Sequence, residues 1–382
     1  MNLLYLITGM FNSAGMERTV ANKANYFVGR GHNVTIVTTD QKSRKYFYKV
    51  SNSVKKIDLN LNFSDFDRYN IIFRTIVFLY KNYLFKKRLN KLLQRSHYDV
   101  VVTLIMKSTD FLYKINDGSV KIVEHHFSRE YYKLQHPTFM TSWLAIMAYK
   151  LRDYKVISNL KHFDCFVVLT NEDALEWRKK LNNVRVIYNS IEYDKKISAN
   201  LQNKLVVSIG RLEYQKGYDL LIPIWKKVAM KHPDWQLYIY GSGSQKSRLK
   251  QLIYELGLEN SIFIKSPISD IKSVILNSSI YVLPSRFEGL PMVLLEAMSL
   301  GCPPVAFQCK CGPKDIIYDG VNGLLVNCFD LNRFSDCINY LIENPSCRLK
   351  LGYESKKRME SFSHELIGEK WLTLFNELLC GK

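Results

Sequence analysis

Short β-rich runs alternate with helical patterns along the chain, and the alternation begins a second time near residue 200. Leu3 to Thr8 reads as a strand, followed by a glycine loop and a helix over about Glu17 to Gly29. Asn33 to Thr39, Val100 to Ile105, Val120 to Glu124 and Cys165 to Leu169 read as further strands. After a polar stretch, about Tyr193 to Asn203, a second series follows: Leu205 to Ile209, Gln236 to Tyr240, Ile262 to Ile264, Ile280 to Leu283 and Pro304 to Phe307. Such alternation implies parallel sheets with crossover helices, hence an α/β protein of two doubly wound units. In open α/β sheets ligands bind outside the carboxyl ends of the strands, so the chemistry is expected in a cleft between the two halves.

The 382 residues suit two domains at about 150 residues each. With 47% hydrophobic and 23% charged residues the chain can build full cores. The most apolar run, Ile71 to Tyr80, is broken by Arg74, short of the roughly 20 residues a membrane span needs. The first residues lack the basic and small-residue features of a secretory signal, so a cytoplasmic protein is expected. Eight cysteines without a paired framework are expected to be free thiols.

The net charge is +19, and its distribution matters more than its sum. Residues 1–190 carry 30 basic and 15 acidic side chains, net +15; the remainder carries 24 and 20, net +4. Between Arg68 and Tyr98 there are eight basic residues and no acidic one, interleaved with Phe73, Phe78, Tyr80, Tyr83 and Phe85. A helix of this kind can lie on an anionic membrane surface; an ordinary amphipathic helix with a solvated basic face fits equally well.

The richest segment runs from Pro284 to Ala297. A strand ends at Leu283 or Pro284, a loop holds Glu288 and Gly289, and a helix is expected near Pro291, with Glu296 about one and a half turns in. Backbone N–H groups at such a start can face a phosphate or a sugar hydroxyl. Glu288 could orient a sugar and Glu296 accept from ribose hydroxyls; a surface loop acid and a helix-start charge is the plainer alternative. Upstream, Arg211 and Lys216 flank the loop between a strand end and a helix start, an arrangement that suits a diphosphate. Gly9 to Gly15 and Gly241-Ser242-Gly243 each follow a strand and permit close backbone approach. The latter lacks the third glycine of a dinucleotide fingerprint, which disfavours nicotinamide binding.

These pieces, taken in order, resemble glycosyltransferase family 4. Gly210-Arg211, Lys216-Gly217, Gly241-Ser242-Gly243, Glu288 with Glu296, Cys311-Gly312-Pro313 and Gly320-Val321-Asn322-Gly323 look like its donor half. Gly15-Met16-Glu17-Arg18 and Gly31-His32-Asn33-Val34 look like its N-terminal signature. The resemblance implies the GT-B architecture: a Rossmann-like acceptor domain over residues 1–195, a Rossmann-like donor domain over 196–362, and a helix over 363–382 that crosses back. It implies a nucleotide-sugar donor and transfer with retention. Carried over, Arg211 and Lys216 hold the diphosphate, Glu296 the ribose and Glu288 the transferred sugar. Gly289, Leu290 and Pro291 cover that sugar with backbone, although Pro291 has no N–H to give. Gly15 and Gly241 approach the donor. In Glu124-His125-His126, the resemblance puts His125 near the reacting sugar, with His126 as the alternate.

No cofactor and no metal are expected. Asp65-Phe66-Asp67 spells a metal-binding D-x-D but precedes the basic helix rather than following a strand, and Cys309-Lys310-Cys311 has no companion pair. The expected activity is transfer of a hexose or N-acetylhexosamine from a UDP-sugar to a lipid-linked or cell-surface glycan, at the inner face of a membrane. A UDP-sugar epimerase or hydrolase of the same fold, and a basic protein that only binds a polyanion or membrane, are the competing readings. No nucleic-acid motif supports a nucleic-acid partner.

Overall fold

A computed structural model describes residues 1–12, 15–68, 71–129 and 143–381. Seven strands, β1 (Asn2–Ile7), β2 (Asn33–Thr38), β3 (Lys55–Asp58), β4 (Val100–Leu104), β5 (Val120–His125), β6 (Cys165–Val168) and β7 (Val184–Val186), form one sheet ordered β3-β2-β1-β4-β5-β6-β7. Six more, β8 (Leu205–Ile209), β9 (Gln236–Tyr240), β10 (Ile262–Lys265), β11 (Ile280–Leu283), β12 (Pro304–Phe307) and β13 (Leu324–Val326), form a second sheet ordered β10-β9-β8-β11-β12-β13. Neighbours pair in parallel; in the first sheet Leu3 stands beside Val34 on one side and Val100 on the other. The order reverses direction between β1 and β4 and between β8 and β11, the switch points at which such sheets open a crevice.

Both faces of each sheet are covered, which is why the central strands are continuous apolar runs rather than alternating ones: Val100–Leu104 and Ile280–Leu283 are buried throughout. The strands absent from the sequence reading are β3, β7 and β13. β3 reads Lys-Lys-Ile-Asp with no buried residue, and β7 (Val-Arg-Val) and β13 (Leu-Leu-Val) span three residues each, too short for a strand period to show. The basic segment forms the helix Ile71–Arg95. Asp65 lies in the 3₁₀ turn Phe63–Arg68 and is paired with Lys42.

The helix His364–Cys380 packs on the first domain, against the helix Gly15–Gly29. Ile367, Trp371, Leu374 and Phe375 join Val20, Ala24 and Phe27 in one core. Gly368 permits the close crossing, since a Cβ there would stand 2.1 Å from Tyr26 Cε1. Truncating a buried tryptophan such as Trp371 to alanine costs about 3–5 kcal/mol. All eight cysteines are free thiols, and among the described residues no helix is long and apolar enough to cross a membrane.

Candidate functional site

The donor half of the site is assembled by loops pressed together at the carboxyl ends of β8, β9 and β11. The Gly210 N–H donates to the Tyr240 carbonyl (3.0 Å), and Leu212 N–H to that of Ser242 (2.8 Å). A Cβ at Gly241 would fall 2.0 Å from the Gly210 carbonyl oxygen, so the two loops touch backbone to backbone only because that position is glycine. Gly217 has φ +66°, and a Cβ there would lie 2.1 Å from the Pro284 oxygen. The turn carrying Lys216 is thereby seated against the loop after β11.

That seating unites the candidate side chains. Lys216 Nζ pairs with Glu288 Oε1 at 2.7 Å, and Ser285 Oγ donates to the same oxygen at 2.6 Å. Gln215 links the rest: it accepts from Arg211 Nη2 (3.1 Å) and donates from Nε2 to the Phe287 carbonyl (3.0 Å). Gln215 and Ser285 were not singled out from the sequence, because an uncharged amide and a hydroxyl carry no signal until their neighbours are known.

Arg211 and Glu296 line one interdomain cleft of about 750 Å³ together with Gly210, Tyr240, Gly241 and Ser242. The helix bearing Glu296 is Met292–Ser299; Pro291, at ψ 93°, caps it rather than forming its first turn as expected, and brings no side-chain acceptor. Leu290 points its side chain into the core, leaving its backbone as the part that can meet a ligand. Glu296 is held by an ion pair from Arg18, across the cleft on the Gly15–Gly29 helix. Burial raises the Glu296 carboxyl above its ordinary range and Arg18 offsets this only in part; its Oε2 is buried with no partner among the described residues. Of the two oxygens that the expected ribose role could use, Oε1 is taken by Arg18 and Oε2 is not. Gly15 opens the same helix and faces Met292, 3.8 Å from where its Cβ would be.

The N-terminal contribution centres on the end of β5. Glu124 Oε2 accepts from Lys23 Nζ at 2.6 Å and lies 3.0 Å from His126 Nε2. Burial works to raise the Glu124 carboxyl, but Lys23 and His126 outweigh it and hold it down at about 2. His126 backs directly onto the donor loop: a Cβ on Gly289 would fall 2.5 Å from the His126 carbonyl oxygen. His125 is sent to the opposite face by strand alternation. Its ring packs on Phe166 and Trp177, with centroids 6.1 and 5.6 Å away. Burial, with the neighbouring His126, lowers it to about 3, and its Nε2 has no partner among the described residues. The two candidate histidines thus part: His125 packs against Phe166 and Trp177, and His126 joins Glu124 and Lys23 on the face toward the Gly15–Gly29 helix.

The two halves are also joined beside the site. Glu172 Oε2 accepts from the Cys311 N–H (2.7 Å), and Asp315 accepts from the Asn171 backbone N–H (2.8 Å).

Residues 13–195 match the model for Glycosyltransferase Family 4, and residues 189–358 match that for Glycosyl transferases group 1. The chain belongs to glycosyltransferase family 4. The fold agrees with the family's GT-B architecture. A solved structure of Staphylococcus aureus TarM, in complex with Fondaparinux, alpha-GlcNAc-glycerol and UDP, superposes with a TM-score of 0.77 at 19% identity, covering 98% of this chain and all of that one. The amylovoran biosynthesis glycosyltransferase AmsD of Erwinia amylovora is 29% identical over 98% of this chain and 99% of its own. A Campylobacter jejuni relative, 24% identical over 97% and 98% of the two chains, is named as an alpha-1,4-N-acetyl-D-galactosaminyltransferase of a diNAcBac-PP-undecaprenol glycan. In this glycosyltransferase, then, Arg211, Lys216 and Glu288 stand in one connected network, Gly241 and Glu296 line the cleft beside Arg211, and Gly15 and Gly289 bring the N-terminal domain to within contact.

Proposed function

We propose that this glycosyltransferase moves a hexose or N-acetylhexosamine from a UDP-sugar to a lipid-linked or cell-surface bacterial glycan, retaining the anomeric configuration and using no metal. The observation that carries the reading is the Arg211–Gln215–Phe287 link, which ties Arg211, at the cleft wall, to the Lys216–Glu288 pair beside it. A donor diphosphate entering there competes for Lys216, and Arg211 offers a planar fork beside it. As the nucleoside diphosphate leaves, its growing charge meets both cations in a site already built, which is electrostatic stabilisation of the transition state. Glu288, released from Lys216, is free to accept from hydroxyls of the sugar being transferred. Gly289 lets backbone close over that sugar. Glu296 takes the ribose once Arg18 moves off it. His126 sits against Gly289 and takes the place nearest the reacting sugar. With the two cations supplying the positive charge, the leaving phosphate can accept the acceptor hydroxyl's proton on the same face.

Membrane docking belongs to the same reading. The helix Ile71–Arg95 exposes Ile76, Leu79, Tyr80 and Tyr83 beside its cations, and the helix Trp143–Leu160 exposes Trp143, Leu151 and Tyr154. They flank one turn, where Lys107 stacks on Phe78 and Asp110 pairs with Lys155. Each cation near an anionic surface contributes about 1 kcal/mol, so a few suffice for reversible binding.

The test is a thermal-shift screen of nucleotide sugars on wild type and Arg211→Ala, followed by an assay for a new glycosidic bond with an undecaprenol-linked acceptor. The expected donor raises Tm in wild type only. No shift with any nucleotide sugar overturns the donor assignment; sugar release or epimerisation without a new bond overturns transfer.

A further inference from the structure

A buried ion pair lies behind His126 for which the transfer reading has given no role. Lys23 and Glu124 are 5% and 1% exposed, and Glu124 also touches the His126 imidazole, itself 5% exposed. A pair this deep is poor evidence of stability, since apolar residues of the same volume do as well or better. Its geometry answers a different need. An ionised carboxylate only accepts hydrogen bonds, so the His126 nitrogen 3.0 Å from Glu124 must carry hydrogen. In the neutral ring the other nitrogen, Nδ1, then has the lone pair. Lys23 keeps Glu124 ionised whether or not His126 is charged, and Lys23 is itself held from the C-terminal helix, its Nζ 4.0 Å from the centre of the Trp371 ring.

Resting on the transfer reading, we propose that Lys23 and Glu124 are positioning residues: they fix His126 as the Nε2–H tautomer and so present Nδ1 as a hydrogen-bond acceptor for a hydroxyl of the transferred sugar, with Trp371 seating Lys23. Orientation of an imidazole by a buried carboxylate is costly to lose, because the wrong tautomer offers a donor where an acceptor is needed. The charged groups around the ring are few. Glu124 lies on its own strand, Glu17 at the start of the Gly15–Gly29 helix, His125 beside it in the chain, and Glu288 on the opposing loop whose Gly289 packs on the His126 carbonyl. Among these only Glu124 makes a hydrogen bond to the ring within the described residues.

The experiment measures kcat against pH, with the donor that the thermal-shift screen identifies, for wild type, Glu124→Gln, Lys23→Met and Lys23→Arg. Glu124→Gln is expected to lower kcat at least tenfold and to move the acid limb of the profile to lower pH, since the carboxylate beside the ring is gone. Lys23→Met removes the ammonium that shares Glu124 with His126 and is expected to move the limb up. Lys23→Arg keeps the charge and is expected to leave it in place. Folding damage lowers the plateau in any variant but shifts the limb in neither direction. Nitrogen spectra of histidine-labelled wild type, with the His126 signal identified by its loss in His126→Gln, are expected to show Nε2–H. Limbs that stay put, or move the same way in Glu124→Gln and Lys23→Met, overturn the proposal, as does an Nδ1–H tautomer. If wild type transfers no sugar at all, the transfer reading falls and takes this inference with it; transfer with unmoved limbs removes this inference alone.

Discussion

Replacing Lys216 by methionine separates what the cation does for the fold from what it does for the reaction. The Lys216 and Glu288 side chains are 15% and 6% exposed, so the substitution leaves a nearly buried carboxylate with Ser285 as its remaining hydrogen-bond donor among the contacts described. Removing one partner of such a pair costs about 3–5 kcal/mol. At roughly 2–4 °C per kcal/mol for a unit of this size, the lower end of that range lowers Tm by about 6–12 °C. The reaction should lose about 10²–10³ in kcat, the usual cost of one group aimed at charge that develops in the transition state. Adding Glu288→Gln removes the stranded charge, so Tm should recover most of the loss while kcat stays low. Differential scanning calorimetry and steady-state kinetics on the two single variants and the double variant read both effects. A Lys216→Met enzyme turning over within threefold of wild type refutes the diphosphate role. A double variant no more stable than Lys216→Met refutes the pair as the source of the stability loss.

Gly289→Ala places a methyl group 2.5 Å from the His126 carbonyl oxygen, so the domains must part locally; kcat/KM should fall at least tenfold with Tm little changed, and an unaffected kcat/KM would show that this contact is dispensable. Arg18→Ala frees Glu296, and because a partly exposed pair is worth at most about 1 kcal/mol, UDP should bind up to about fivefold tighter by calorimetry, with weaker binding contradicting the competition between Arg18 and the ribose. Burial raises the Asp173 carboxyl to about 6 although Arg129 and Trp177 donate to it. A carboxyl raised on folding adds stability below its unfolded value that is lost as pH climbs through about 6, so the Tm difference between pH 4 and pH 7 should shrink in Asp173→Asn; an unchanged difference means that another group titrates.

The fold was legible because each central strand is buried on both faces and must therefore be apolar throughout, as Val100–Leu104 and Ile280–Leu283 are. The edges were not: Lys55–Asp58 pairs through its backbone, which any residue can do. At the site, charges at strand ends announced themselves: Lys216 and Glu288 pair, and Arg211 is tied to their loop through Gln215. Partnerships between distant residues did not. Arg18 and Glu296 are 278 positions apart, and Lys23 and Glu124 are 101 apart, so nothing local in either segment names the other. Choosing between His125 and His126 needed the face of one strand, which a one-residue shift inverts.

The docking of the His364–Cys380 helix on the Gly15–Gly29 helix sets an order of events during biosynthesis. Chain elongation at about 5–20 residues per second puts roughly 17–67 s between the emergence of the two helices from the ribosome. Throughout that interval Val20, Ala24 and Phe27 lack the cover that Ile367, Trp371 and Phe375 later provide. The N-terminal domain thus waits, with an apolar flank open to chaperones, until the helix His364–Cys380 has been translated.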